Sequence, residues 1–78
     1  MSELAHWDCW GSHGELEHVD VPVLNSTPEA AMDELLTKAR FVFGERPWEV
    51  WRWEARELGG RASTVIRFRR TAEGWQRV

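Results

Sequence analysis

"NSTPEAAMDELLTKARFVFGERP" (residues 25–47) is the stretch with helical period in this 78-residue chain, and it separates two runs that alternate like strands. Thr27 followed by Pro28 reads as an N-cap and a first helical position, where the missing proline N–H costs nothing. Ser26 with Glu29 offers a capping box one residue earlier. Glu29, Asp33 and Glu34 put negative charge in the first turns, and Lys38 and Arg40 put positive charge near the end, as the helix dipole favours. Met32, Leu35, Leu36, Ala39 and Phe43 recur at three- and four-residue spacing, which makes one apolar stripe. Gly44 ends the pattern and Pro47 prevents its resumption. One amphipathic helix of about 16 residues is predicted.

Upstream, "LAHWDCW" (4–10) and "LEHVDVPVL" (16–24) alternate around "GSHG" (11–14), which predicts a hairpin. A three-residue loop, Ser12-His13-Gly14 with Gly14 left-handed, brings the apolar positions to one face. Trp10 then opposes Leu16, Trp7 opposes Val19 and Ala5 opposes Val21. The core face gains Ala5, Trp7, Cys9, Val19, Val21 and Val23, while Pro22 marks an edge or a bulge.

Downstream, "WEVWRWEARELGGRASTVIRFRR" (48–70) alternates on both sides of Gly59-Gly60, the pair a two-residue type I′ turn prefers. That register sets Trp53 opposite Ile66, Trp51 opposite Phe68 and Ala55 opposite Thr64 on the core face. The other face receives Trp48, Val50, Arg52, Glu54 and Arg56, with Val65, Arg67 and Arg69 across from them. "TAEG" (71–74) turns the chain, and Trp75 to Val78 return as a short last strand. The order β-β-α-β-β-β predicts a single α+β domain, one helix packed on one face of an antiparallel sheet.

Composition narrows the function classes. A chain of this size buries only about 60–65% of its unfolded surface, so it holds one small core. Cys9 is the only cysteine, which rules out an intrachain disulfide and suits a reducing compartment. The acidic start "MSELAHWDCW" lacks the basic and apolar regions of a secretion signal, and no run approaches the ~20 apolar residues of a membrane span. The expectation is a cytoplasmic protein with no membrane partner. Charge is lopsided: residues 1–39 carry eight acids against one lysine, and residues 40–78 carry nine arginines against five acids. Such asymmetry suggests a polyanion contact or self-association, although arginine in place of lysine also follows from a GC-rich genome.

Sequence motifs of catalysis are missing: no G-x-S-x-G, Walker loop, dinucleotide fingerprint or C-x-x-C. Cys9 is close in sequence to His6, His13 and His18, but alternation turns His6 and Cys9 to opposite faces, and a nucleophile needs its base alongside. A buried structural thiol in a non-enzymatic protein is expected. His6, Asp8, His18 and Asp20 share the polar face, with Asp8 opposite His18 and His6 opposite Asp20. They are the weak candidates for a divalent metal, set against the plainer reading of a strand's solvated side.

Of six tryptophans, Trp7, Trp51 and Trp53 read as core. Trp10 and Trp48 fall on the outer face with Val50, Arg52, Arg67 and Arg69, an aromatic and arginine mixture typical of protein interfaces. A curled sheet burying them itself is the alternative. Arg52 directly across from Arg67 would be an unfavourable pair, relieved either by Glu54 or by an anionic partner. The leading expectation is a small binding protein that occupies a protein partner, a regulator or inhibitor of phage or mobile-element type, and forms a two-fold homodimer. Direct nucleic-acid binding through the arginine and tryptophan face is the alternative. "VDVPVLNSTPEAAMDELL", "PWEVWRWEAR" and "VIRF", spanning residues 19–70, resemble in layout the dodecins, small flavin-binding oligomers. That resemblance implies flavin stacking on a strand tryptophan such as Trp48.

Overall fold

A computed structural model describes residues 3–59 and 64–78. Its elements run β1 (Ala5–His13), β2 (Glu17–Asn25), α1 (Pro28–Phe43), a 3-10 turn (Trp48–Val50), β3 (Arg52–Leu58), β4 (Val65–Thr71) and β5 (Gly74–Arg77). The strands form one antiparallel sheet in the order β2-β1-β3-β4-β5, and α1 packs on one face of it. This is a small α+β fold.

The helix forms where its end signals place it. Thr27 Oγ1 accepts from the Ala30 N–H at 3.1 Å, so the cap is Thr27. At the other end the Gly44 N–H donates to the Arg40 carbonyl at 2.8 Å, with Gly44 at φ 74°. Ala31, Met32, Leu35, Leu36 and Ala39 are buried against β2, β1 and β3. The acidic first turns are tied to the C-terminal strands: Glu29 takes Arg77 Nε at 2.7 Å, and Asp33 takes Trp75 Nε1 at 2.8 Å with Arg70 at 3.7 Å. The Arg77 hydrogen bond holds the Glu29 carboxyl below its usual range and raises Arg77 in turn. Arg56 with Asp8 (3.5 Å) and Arg46 with Glu17 (3.1 Å) likewise join the basic half to the acidic half. Much of the charge asymmetry is therefore neutralised within the fold.

Both hairpins differ in register from the sequence expectation. β1 continues through Ser12 and His13, and the three-residue loop is Gly14–Leu16 rather than Ser12–Gly14. Trp7 consequently opposes Val23, Cys9 opposes Val21, and Trp10 opposes Asp20 instead of Leu16, which stands at the loop tip. In the second hairpin Trp53 opposes Phe68, Ala55 opposes Ile66, and Glu54 rather than Arg52 opposes Arg67. The expected Gly59-Gly60 turn falls partly on residues 60–63, which lie outside the described residues. Pairing shifts by an even number of positions in both cases, so every strand residue keeps its face.

The expected core face is in place: Trp7, Cys9, Val19, Val23, Trp53, Ala55 and Phe68 are buried. Trp48 corrects the expectation. It lies in the 3-10 turn rather than in a strand, and at 4% exposed it belongs to the core instead of the outer face. Three residues per turn bring Trp48 to the same side as Trp51, where strand alternation had set them apart. The Trp48 ring lies 5.1 Å from Trp51 and 5.9 Å from Trp53, and its carbonyl accepts from Trp53 Nε1 at 2.9 Å. Trp51 and Trp53 stack at 5.6 Å, and Trp75 meets Trp53 edge-on at 5.3 Å. His13, at the end of β1, stacks on Trp51 at 6.0 Å. This aromatic layer lies over the half of the sheet that the helix leaves to it.

One small residue makes the layer possible. Gly11 in β1 sits opposite Trp53 in β3, and a Cβ at Gly11 would stand 2.5 Å from Trp53 Cε3. The absence of a side chain at position 11 is the slot that receives the indole.

Candidate interaction face

The face of the sheet opposite the helix is built by the outward-pointing half of each strand. β1 contributes His6, Asp8, Trp10 and Ser12; β2 contributes His18, Asp20, Pro22 and Leu24; β3 contributes Arg52, Glu54, Arg56 and Leu58; and β4 contributes Val65, Arg67 and Arg69. Trp10 is half-buried among its neighbours, while Leu24 (52%), Leu58 (43%) and Val65 (39%) are exposed. Val50 leaves the 3-10 turn toward the same end of the molecule as Arg52 and is exposed. Of the six residues expected to bind a partner, Trp10, Arg52, Arg67 and Arg69 share the face and Val50 borders it. Trp48 is the one the structure removes.

Arg52, Arg67 and Arg69 line a shallow groove of about 440 Å³ with Glu49, Glu54 and Val78. Glu54 stands 4.0 Å from Arg67 Nε, a long contact at an exposed guanidinium. Among the described residues neither Arg52 nor Arg69 enters an ion pair. A second hollow of about 420 Å³ lies beside it, between Asp8, Trp10, His18, Asp20, Arg56 and Val65. The face thus carries Asp8 and Asp20 on the β2–β1 side and Arg52, Arg56, Arg67 and Arg69 with Glu54 on the β3–β4 side.

His6, Asp8, His18 and Asp20 do share this face, but the shifted register separates them. His6 opposes Leu24, Asp8 opposes Pro22, His18 opposes Ser12 and Asp20 opposes Trp10, in place of the two His–Asp pairs expected. Only His18 and Asp20 approach, at 4.0 Å, and among the described residues no three His, Cys, Asp or Glu side chains gather as a metal set. Cys9 lies on the other face, fully buried. Burial, with smaller contributions from Asp8 and Glu34, pushes its thiol up to about 12, so it stays protonated and unreactive. The buried Trp48 ring likewise offers no open face for a flavin to stack on.

Sequence reasoning did not anticipate two residues that shape this region. Gly11 fixes where Trp53 lies, and Glu45 holds the Trp48 indole inward by accepting from Nε1 at 2.9 Å. The Glu45-Arg46-Pro47 break after the helix was the available signal for a turn before Trp48. Among the described residues no helix is long and apolar enough to cross a membrane. Comparison with protein-family models, curated proteins and solved structures returns no match.

Proposed function

We propose that this protein is a small non-catalytic binding module that lays the outer face of its sheet on a protein partner, as a regulator or inhibitor of phage or mobile-element type would. The observation that carries this reading is the uncovered face itself. Trp10 stands there one row from Arg52, with Val65 and Leu58 farther along the strands, and Arg52 and Arg69 have no ion-pair partner among the described residues. Arginines and an aromatic around apolar groups are the mixture enriched in protein interfaces. A partner bringing an apolar ridge flanked by opposite charges would complement the face.

Nucleic acid is the weaker occupant. Asp8, Asp20 and Glu54 share the face and repel a phosphate backbone, and Trp10 is the one indole there for base stacking.

A photo-crosslinking residue at position 52, with a control at Thr37 on the exposed side of the helix, tests the reading in cells of the native host. Discrete protein adducts from position 52 and none from position 37 are expected. Matching adduct patterns from both positions overturn the reading. Nucleic-acid adducts at position 52, with submicromolar and salt-sensitive oligonucleotide binding, would transfer the function to the alternative.

A further inference from the structure

We infer that the partner of this face is a second copy of the same chain, related by a two-fold axis running along the seam between β1 and β3. The inference rests on the reading of the face as a protein-docking surface and names its occupant. Cross-strand pairing arranges the outward side chains in rows. One row runs from Asp20 on β2 through Trp10 and Glu54 to Arg67 on β4, and the next runs from Pro22 through Asp8 and Arg56 to Val65. Asp20 and Asp8 therefore lie on one side of the seam and Arg67 and Arg56 on the other, with Glu54 beside Arg67.

Rotation about an axis parallel to the strands exchanges β1 with β3 and β2 with β4 while keeping each residue in its row. Asp20 of one copy then comes over Arg67 of the other, Trp10 over Glu54, and Pro22 over Val65, while Asp8 comes over Arg56 and joins the pair already made within each chain, each contact occurring twice. An axis across the strands lays β2 on β2 and β4 on β4: on a row it brings like charges together, and between these two rows it leaves Asp20 over Pro22 and Arg67 over Val65, with Glu54 over Arg56 the one opposite pair. Charge thus selects the first arrangement, as complementary potentials select register in other interfaces. Facing sheets in sandwiches cross at about 30°, so rows close to the axis stay aligned while the corners diverge.

The available area reaches the lower bound of a specific interface. The four strands that overlap, of nine, nine, seven and seven residues, give roughly 500 Å² of projected face per copy at ~3.3 Å per residue and ~4.8 Å between strands, or about 1,000 Å² for the pair. Docking would also cover Leu24, Leu58 and Val65.

Sedimentation velocity of the full chain at micromolar concentration supplies the test. A dimer is expected. Asp20→Arg and Arg67→Asp should each weaken it at least tenfold, since each places two like-charge contacts in the interface, one on either side of the axis. Mixing the two variants in equal amounts should restore the dimer, because both contacts again join opposite charges. The double variant on one chain should restore it too. Both side chains are exposed (67% and 78%), so unchanged tryptophan fluorescence should show that the fold survives. A monomeric wild-type chain overturns the inference, as does a dimer indifferent to both substitutions or a mixture that stays monomeric. Protein adducts from position 52 on a monomeric chain would refute the second copy while leaving the docking face intact. A symmetric dimer blind to both substitutions, with no adducts at that position, would remove both.

Discussion

Along the same strands, Trp7, Cys9, Trp53, Ala55 and Phe68 on the inner face are at most 7% exposed, whereas Arg52, Val65 and Arg67 beside them stand in solvent. The inner face has a helix, a turn and an aromatic layer fitted to it, and even its glycine is defined by what lies on it. The outer face has ion pairs at 3.5 and 4.0 Å and two shallow hollows, with none of the described elements packed over them. The difference separates the two tasks of a small domain. Stability comes from the closed side, where area leaves water, and the open side, where substitution costs the fold little, is the one free for the proposed recognition.

The strongest way to break this division is at the Gly11–Trp53 contact. Trp53→Ala should cost ~3–5 kcal/mol in urea denaturation, the usual loss for a large buried aromatic. Gly11→Ala should cost ~1–3 kcal/mol by overpacking, although it removes nothing. Combining Gly11→Ala with Trp53→Phe should cost less than the two single losses together, because the smaller ring leaves room for the methyl. A neutral Gly11→Ala would mean that the indole does not depend on the bare backbone beneath it.

Cys9 sharpens the comparison through pH. Its folded-state value of about 12 exceeds that of an unfolded thiol, about 8.5, so folding favours the protonated form. That stabilisation is complete below the unfolded value and is lost as pH rises from there toward the folded value. Between pH ~8.5 and ~12 the wild-type chain should therefore lose stability faster than Cys9→Ala, measured by urea midpoints at successive pH. A thiol reagent should leave the native protein unmodified at pH ~8 and label it in urea. Equal slopes in the two chains would show that the thiol is not sealed.

The smallest effect is expected on the open side. Arg52→Glu combined with Arg69→Glu should change stability by no more than about 0.5 kcal/mol. A loss of several kcal/mol would place these arginines among the groups that hold the fold.

The helix and the faces of β1 to β4 were legible because their signals are local, whereas the short β5 carried no face assignment. Thr27, Pro28 and Gly44 mark the helix ends within a few residues, and alternation survives an even slip of register. The registers themselves were not legible. Extending β1 through His13 sets Gly11 opposite Trp53, and such a contact between distant segments leaves no trace in either local pattern. Trp48 was misplaced for a related reason. "WEVWRW" reads equally well as alternation or as a turn followed by a strand, and only burial against Trp51 and Trp53 decides between them. On the candidate face, Trp10, Arg52, Arg67 and Arg69 could be placed because parity alone fixes them. The pairing of Arg67 with Glu54 depends on the connection between β3 and β4, part of which lies outside the described residues.

The stacked Trp51 and Trp53 rings, 5.6 Å apart and inclined by 22°, with Trp48 and Trp75 packed against them at 5.1–5.9 Å, have an optical consequence. Indoles this close share their electronic excitations. The array as a whole, rather than any one ring, should carry a split far-ultraviolet circular dichroism band, and light absorbed by one member passes to another before it is emitted. The segment that joins helix to sheet is thus its own reporter: when the turn at Trp48 opens, the shared band collapses, and the closure of the inner face can be timed without a label.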